Sequence, residues 1–224
     1  YLYWQKPAKK SAVVWSSEAG SAVDYYFMYG PKLDKAISAY RKLTGKVPMF
    51  PKWTWGFWQC KERYKSQKEL LGVLAEYHRR EIPIDGVIQD WQYWKPGQWG
   101  SHKFDPKRYP DPAKMVKEIH KANAHAIISV WPRFDLKTKN LAKLEKAGAI
   151  YPPVYTNVYP EGATKWYDPF NPEGRRIYWE RLNDNLGSLG FDGWWMDASE
   201  PELGGKWGEM RDLKTGAGSG ARVY

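Results

Sequence analysis

The chain holds one cysteine, Cys60, which excludes an internal disulfide and the small scaffolds stapled by them, but fixes no compartment. Cys60 also has no obvious partner base. The four histidines, His78, His102, His120 and His125, lack paired metal-ligand spacing. His120 and His125 stand five apart across an expected helix–strand junction and read as structural, so no metal and no cofactor are expected. No apolar run approaches the roughly 18 residues of a membrane span, and no secretory signal pattern opens the sequence. The first residue is Tyr1 rather than Met, inside a strand-rich stretch. A piece of a longer protein is the expectation, so the missing signal says little about compartment. For a bacterial source, the periplasm, cell surface or medium is favoured over the cytoplasm. No Gly-x-Ser-x-Gly elbow occurs, and no Gly-rich phosphate loop follows the first strand of the α/β region. The run Gly216–Gly220 reads as a flexible loop.

Aromatic residues, by contrast, are abundant: 14 Trp and 16 Tyr in 224 residues. That exceeds what a core of this size needs, so cleft-lining rings are expected, and flat rings stack on the C–H faces of sugars or on bases. The formal net charge is +10. Lys and Arg are dispersed, as in Lys61, Arg63, Lys65 and Lys68, which reads as a solvated surface rather than a nucleic-acid face.

Residues 1–30 carry short aromatic and β-branched runs, and Ala12–Trp15 and Ala22–Tyr29 read as strands. Leu33, Ala36, Ile37, Tyr40 and Leu43 follow helical spacing up to Gly45, and Pro48 and Pro51 mark a linker. From Trp53 strands and helices alternate. Thr54–Gln59, Ile84–Asp90, His125–Trp131 and Phe191–Met196 read as strands. Ser66 with Glu69 forms a capping box before a helix whose face holds Leu70, Leu71, Leu74, Tyr77 and His78. Helices also start at Asp111-Pro112 and Asn171-Pro172, and one carries Leu141 and Leu144. Residues 149–170 read as an inserted loop. Alternation of this kind implies parallel pairing through right-handed crossovers. The first choice is an α/β fold containing the first half of a (β/α)8 barrel, about four strand–helix units, because a complete barrel takes about 250 residues. A doubly wound sheet is the alternative.

The stretch Trp194-Trp195-Met196-Asp197-Ala198-Ser199-Glu200-Pro201-Glu202 runs an apolar strand into three acids. Residues two apart share a strand face, so Trp195 and Asp197 point one way and Trp194 and Met196 the other. Catalytic groups of barrels sit at the C-terminal ends of strands.

This stretch resembles the signature of glycoside hydrolase family 31, in which Trp, any residue and Asp are followed closely by Glu. Phe57–Tyr64 resembles the end of the family's first barrel strand and Ile82–Trp94 its second. Phe104-Asp105-Pro106 and Ile128–Pro132 fit the segments that follow. The resemblance implies three regions: residues 1–30 as the end of an N-terminal β-sandwich, 31–52 as a connecting helix and linker, and 53–224 as the partial catalytic barrel. It implies a retaining α-glycosidase acting on an oligosaccharide. An α-xylosidase acting on xyloglucan-type chains is preferred from the segments around Trp58 and Asp90–Trp94, with an α-glucosidase as the alternative.

By matching position, Asp197 would be the nucleophile, supported by Glu200. Asp90 would bind sugar hydroxyls, and Trp131 and Trp195 would form ring walls of the same pocket. Trp91 and Cys60 are further candidate substrate-binding residues, while Asp168 and Asp192 read as structural. The family's general acid/base lies on a later strand. No acid here matches it, so the chain alone is expected to be inactive. Two other classes stay open: a non-catalytic carbohydrate-binding module, which requires a β-sandwich with few helices, and a single-stranded nucleic-acid binder driven by charge and stacking.

Overall fold

The computed structural model describes residues 3–5, 14–16, 22, 24–152, 154–156, 162–199, 211–215 and 218–223. It divides into two units, Tyr1–Phe50 and Pro51–Tyr224. In the first, β1 (Tyr3–Gln5) pairs antiparallel with β2 (Val14–Ser16), and α1 spans Leu33–Thr44. Gly45 ends α1 at φ +85°, a conformation that suits glycine. The strand expected over Ala22–Tyr29 does not form: Ala22 and residues 24–30 have no regular structure. Strand propensity reports fit to a pleated surface, and a strand needs a neighbour for its backbone groups.

The second unit opens on a short 3-10 turn, Lys52–Trp55, and the strand expected from Thr54 shrinks to β3 (Trp58–Gln59). The Thr54 hydroxyl donates to the Pro51 carbonyl at 2.7 Å, and the Gly56 N–H donates to Trp53. Both bonds favour a turn over an extended start. α2 (Gln67–Arg79) follows, then β4 (Gly86–Gln89), α3 (Pro112–Lys121) and β5 (His125–Val130). Next come β6 (Arg133–Asp135), α4 (Lys139–Lys146), β7 (Thr164–Trp166), α5 (Pro172–Asn185) and β8 (Gly193–Met196). β9 (Arg211–Thr215) and β10 (Gly218–Val223) form an antiparallel pair.

β3, β4, β5 and β8 form one parallel sheet in that order, the arrangement of one side of an α/β barrel. Helices connect each strand to the next, so the described residues hold four strands with three crossovers rather than four complete strand–helix units. The caps read from the sequence are present. Ser66, Asp111 and Asn171 accept backbone N–H bonds at the starts of α2, α3 and α5. The face of α2 buries Leu70 and Leu74, whereas His78 is exposed and leaves the predicted stripe.

Two loop expectations are corrected. Within 149–170, β7 pairs antiparallel with β6 as a ribbon, extended by bridges Ile150–Tyr167 and Tyr155–Thr164. Such pairing joins segments some thirty residues apart, beyond the reach of local periodicity. Gly218–Gly220 lie in β10 rather than in a loop, next to a register shift of the kind glycine accommodates.

The core lies between the sheet and α2, α3 and α5. Val87, Ala126, Ile128 and Val130 of the sheet join Leu70, Leu74, Met115, Ile119, Leu182 and Leu186. A smaller core under the β6–β7 ribbon holds Phe134, Leu141, Leu144, Ala149 and Ile177. No helix among the described residues is long and apolar enough to cross a membrane.

Candidate active site

The register sorts every sheet residue to one of two faces. Val87 pairs with Ala126, and Ile128 with Trp194. These residues, with Gln59, Gln89, Val130 and Met196, take the helix side. Trp58, Gly86, Ile88, Ile127, Ser129, Gly193 and Trp195 take the other, the barrel side. Gly86 is required there, because an added Cβ would lie 2.3 Å from the Trp58 ring.

Four of the residues singled out in the sequence share one position. Cys60, Asp90, Trp131 and Asp197 are each the first residue after a strand of this sheet. Each also follows, by two, a residue of the barrel side. The Asp197 N–H donates to the Val130 carbonyl at 3.0 Å, carrying the β5–β8 ladder one residue further. At the barrel's C-terminal rim the four strands therefore bring two carboxylates, a thiol and an indole together. Trp195 belongs to the same face and is 37% exposed.

The two aspartates are set by the same local device. Asp197 Oδ1 accepts from the Ala198 N–H at 2.8 Å, and Asp90 Oδ1 from the Trp91 N–H at 2.7 Å. A left-handed residue follows each, Ala198 at φ +42° and Gln92 at φ +56°. Strained backbone of this kind persists where surrounding structure holds it, often at ligand sites. Burial raises the Asp90 carboxyl above the ordinary carboxylate value. The Trp91 N–H opposes this, the charges of Asp197 and Glu62 add to it, and Arg63 offsets part of the rise. The Cys60 thiol is also pushed up, first by burial and then by the Asp90 charge, with the Lys61 N–H opposing. A thiol raised in this way is held away from the thiolate form that a nucleophile needs.

Rings surround the rim. Trp131 stacks on Trp91 with centroids 5.7 Å apart and meets Trp99 edge-on at 5.1 Å. Its indole N–H donates to the Ser129 hydroxyl. The Trp91 indole N–H donates to Glu62 at 3.1 Å, and the Arg63 guanidinium lies over the Trp91 ring. Glu62, Arg63 and Trp99 were not singled out as site residues. Their part is tertiary: Glu62 and Arg63 latch the loop after β3 to the loop after β4, and Trp99 packs that second loop against Trp131. Glu200, the expected support of Asp197, lies outside the described residues.

A cleft of about 500 Å³ opens beside Asp197 and is lined also by Val130, Trp166, Tyr167, Tyr178 and Met196. Val130 and Met196 belong to the helix side, so this cleft lies across the strand end from Asp90, and neither Cys60, Trp131 nor Trp195 lines it. A second, of about 360 Å³, lies between the loop after β4 and the β6–β7 ribbon, beside Trp94, Asp105 and Asp135. His120, His125 and Asp192, each expected to be structural, are brought together by the fold at the opposite end of the strands. Asp168 fits its structural reading, accepting the Phe170 N–H before α5.

The profile of the glycosyl hydrolases family 31 TIM-barrel domain matches residues 47–220. An alpha-xylosidase of Saccharolobus solfataricus is 43% identical over 187 residues, 84% of this chain and 24% of its own length. The crystal structure of a GH31 alpha-xylosidase from Xanthomonas citri aligns with TM-score 0.70 at 44% identity, over 76% of this chain and 19% of that one. A GH31 alpha-xylosidase from a soil metagenome, complexed with xylose, aligns with TM-score 0.71 at 32% identity, over 79% and 26% respectively. The chain thus spans about a quarter or less of the length of these relatives. With the domain profile covering most of its residues and the barrel sheet in place, the chain belongs to glycoside hydrolase family 31 and carries part of that family's TIM-barrel domain.

Proposed function

We propose that this chain supplies the nucleophile half of the active site of a retaining α-glycosidase, with α-xylosides as substrate and Asp197 as the nucleophile. The observation that carries the reading is the common position of Cys60, Asp90, Trp131 and Asp197, each one residue past a parallel strand on one face. Barrel enzymes do their chemistry at that rim. The preference for xylose is supported by the names of the three relatives given above, all of them α-xylosidases.

In this reading Asp197 attacks the anomeric carbon, the bond to the leaving oxygen breaks, and a covalent glycosyl ester forms. A second carboxylic acid, about 5–5.5 Å away, protonates that oxygen and then deprotonates the water that hydrolyses the ester. Two inversions retain the α configuration. Asp90 accepts hydrogen bonds from sugar hydroxyls, and Trp131 and Trp195 form apolar walls with Cys60. Trp91, stacked on Trp131, holds that wall in place. Residues 1–30 belong to the end of a β-sandwich that precedes the barrel. Among the described residues none takes the role of the second carboxyl in this reading, and the 224 residues expressed alone are expected to give no turnover.

The test is an assay of the full-length protein with aryl α-xyloside and aryl α-glucoside. Asp197→Ala is expected to abolish turnover, by about 10⁴-fold or more, with circular dichroism unchanged. Most of the activity surviving in that variant rejects the nucleophile assignment. Faster cleavage of the glucoside replaces α-xylosidase by α-glucosidase and leaves the nucleophile assignment standing.

A further inference from the structure

The N-terminal end of the sheet gathers a second set of polar groups. His120 lies in the last turn of α3, His125 opens β5, and Asp192 immediately precedes β8. Asp192 Oδ2 accepts the Ala126 N–H at 2.8 Å and lies 2.9 Å from His120 Nε2. Asp192 Oδ1 is 3.2 Å from His125 Nδ1. That nitrogen is buried, and it faces Oδ1 without the alignment of a hydrogen bond. All three candidate ligand atoms lie within 4.8 Å of one another. His120 thus already binds the carboxylate, while the buried His125 nitrogen faces the same carboxylate with its lone position unused.

We propose that His120, His125 and Asp192 form a binding site for a divalent transition metal of the zinc class, at the end of the strands opposite Asp197. Two imidazoles and a carboxylate are a ligand set this ion takes, with water completing the shell. Bonds of about 2.1 Å in a tetrahedral shell separate ligand atoms by roughly 3.4 Å, and the two imidazole nitrogens stand 2.9 and 3.2 Å from the two different oxygens of the one carboxylate. His120 stands on the exposed surface of α3, where its side chain has room to close the remaining distance.

The surroundings hold the ligands for this task. The Trp53 ring stacks on His125 at 3.8 Å and 18°, fixing the imidazole plane. The Ala126 N–H fixes the carboxylate, the kind of outer support that orients metal ligands. The C-terminal end of α3 adds the negative pole of the helix dipole, which favours a cation. A bound ion would tie α3, β5 and β8 together at the base of the sheet.

The experiment is titration of the chelator-treated full chain with Co(II), followed by visible absorption and calorimetry. One saturable equivalent with the absorption bands of a four- or five-coordinate ion is expected to depend on these residues. His120→Ala, a surface change, and Asp192→Asn, which keeps an acceptor for the Ala126 N–H, are each expected to weaken binding by about 100-fold. His78→Ala, on the exposed side of α2, is the control and is expected to leave binding unchanged. Thermal unfolding supplies a second readout: Co(II) or Zn(II) raises Tm in the parent chain and not in His120→Ala. Equal binding by the parent and both site variants, or no saturable binding below millimolar metal, overturns the site and leaves a hydrogen-bonded pin.

Discussion

His102 is buried between Phe134 and Tyr178, at φ +53°, with neither ring nitrogen hydrogen-bonded. Burial pushes its pKa from the ordinary 6.5 down to about 3. Below pH 6.5 the unfolded chain binds a proton there and the folded chain does not. Stability held above pH 6.5 is therefore lost as pH falls towards 3, at up to about 1.4 kcal/mol per pH unit. His102→Asn, which tolerates the left-handed backbone, is expected to flatten that part of the stability–pH curve, while a smaller side chain lowers stability at neutral pH. Urea midpoints between pH 4 and 7 check this, and an unchanged slope would show that His102 takes a proton without cost. Asp90 and Asp197 show the residue scale at work differently. Each is aimed by the N–H of its own neighbour, so the local backbone sets the carboxylate and the sheet sets only where it stands.

At the scale of elements, α2 rests on both a cap and a buried stripe. The Ser66 hydroxyl accepts the Glu69 N–H at 3.1 Å, and Glu69 in turn binds the Lys65 N–H and the Lys61 ammonium. The capping box read from the sequence is thus present with its return bond shifted by one residue. Ser66→Ala is expected to lower stability by about 1 kcal/mol, seen as a lower urea midpoint with an unchanged slope. An unchanged midpoint would mean that packing of Leu70 and Leu74 alone holds α2 in place. Between β3 and β4 the contact is closer still. Gly86→Ala must move Trp58 or the backbone, costing about 1–3 kcal/mol, and it should also disturb the rim next to Cys60, since β3 is only two residues long.

The sheet as a whole has two outer strands, β3 and β8, each hydrogen-bonded on one side only among the described residues. Met196 of β8 is 67% exposed, and Trp195 beside it is partly open. Unpaired strand edges carrying apolar side chains favour association. The 224-residue chain expressed alone is expected to run above its 26.1 kDa monomer mass in light scattering. Monodisperse monomer at tens of micromolar would show that the edges are protected. The net charge of +10 acts at this scale too, slowing self-association at low salt and easing it as salt screens the charge.

The amino-acid sequence by itself determined the order of the four barrel strands and the helices between them, the caps, and the acids and rings that end each strand. Those features are written in near neighbours: period-2 and period-3.6 patterns, Ser66, Asp111 and Asn171 before helices, and the run into Asp197. It overstated strands, as over residues 24–30, which have no regular structure. It missed β6 with β7, because an antiparallel ribbon is a relation between distant segments. Only the tertiary structure decided that Cys60, Asp90, Trp131 and Asp197 stand at one level on one face, and that Glu62 and Trp91 lock two loops there. It also joined His120 and His125 to Asp192, more than sixty residues further on. Parallel register is set by long-range packing and hydrogen bonding, and no local pattern encodes it.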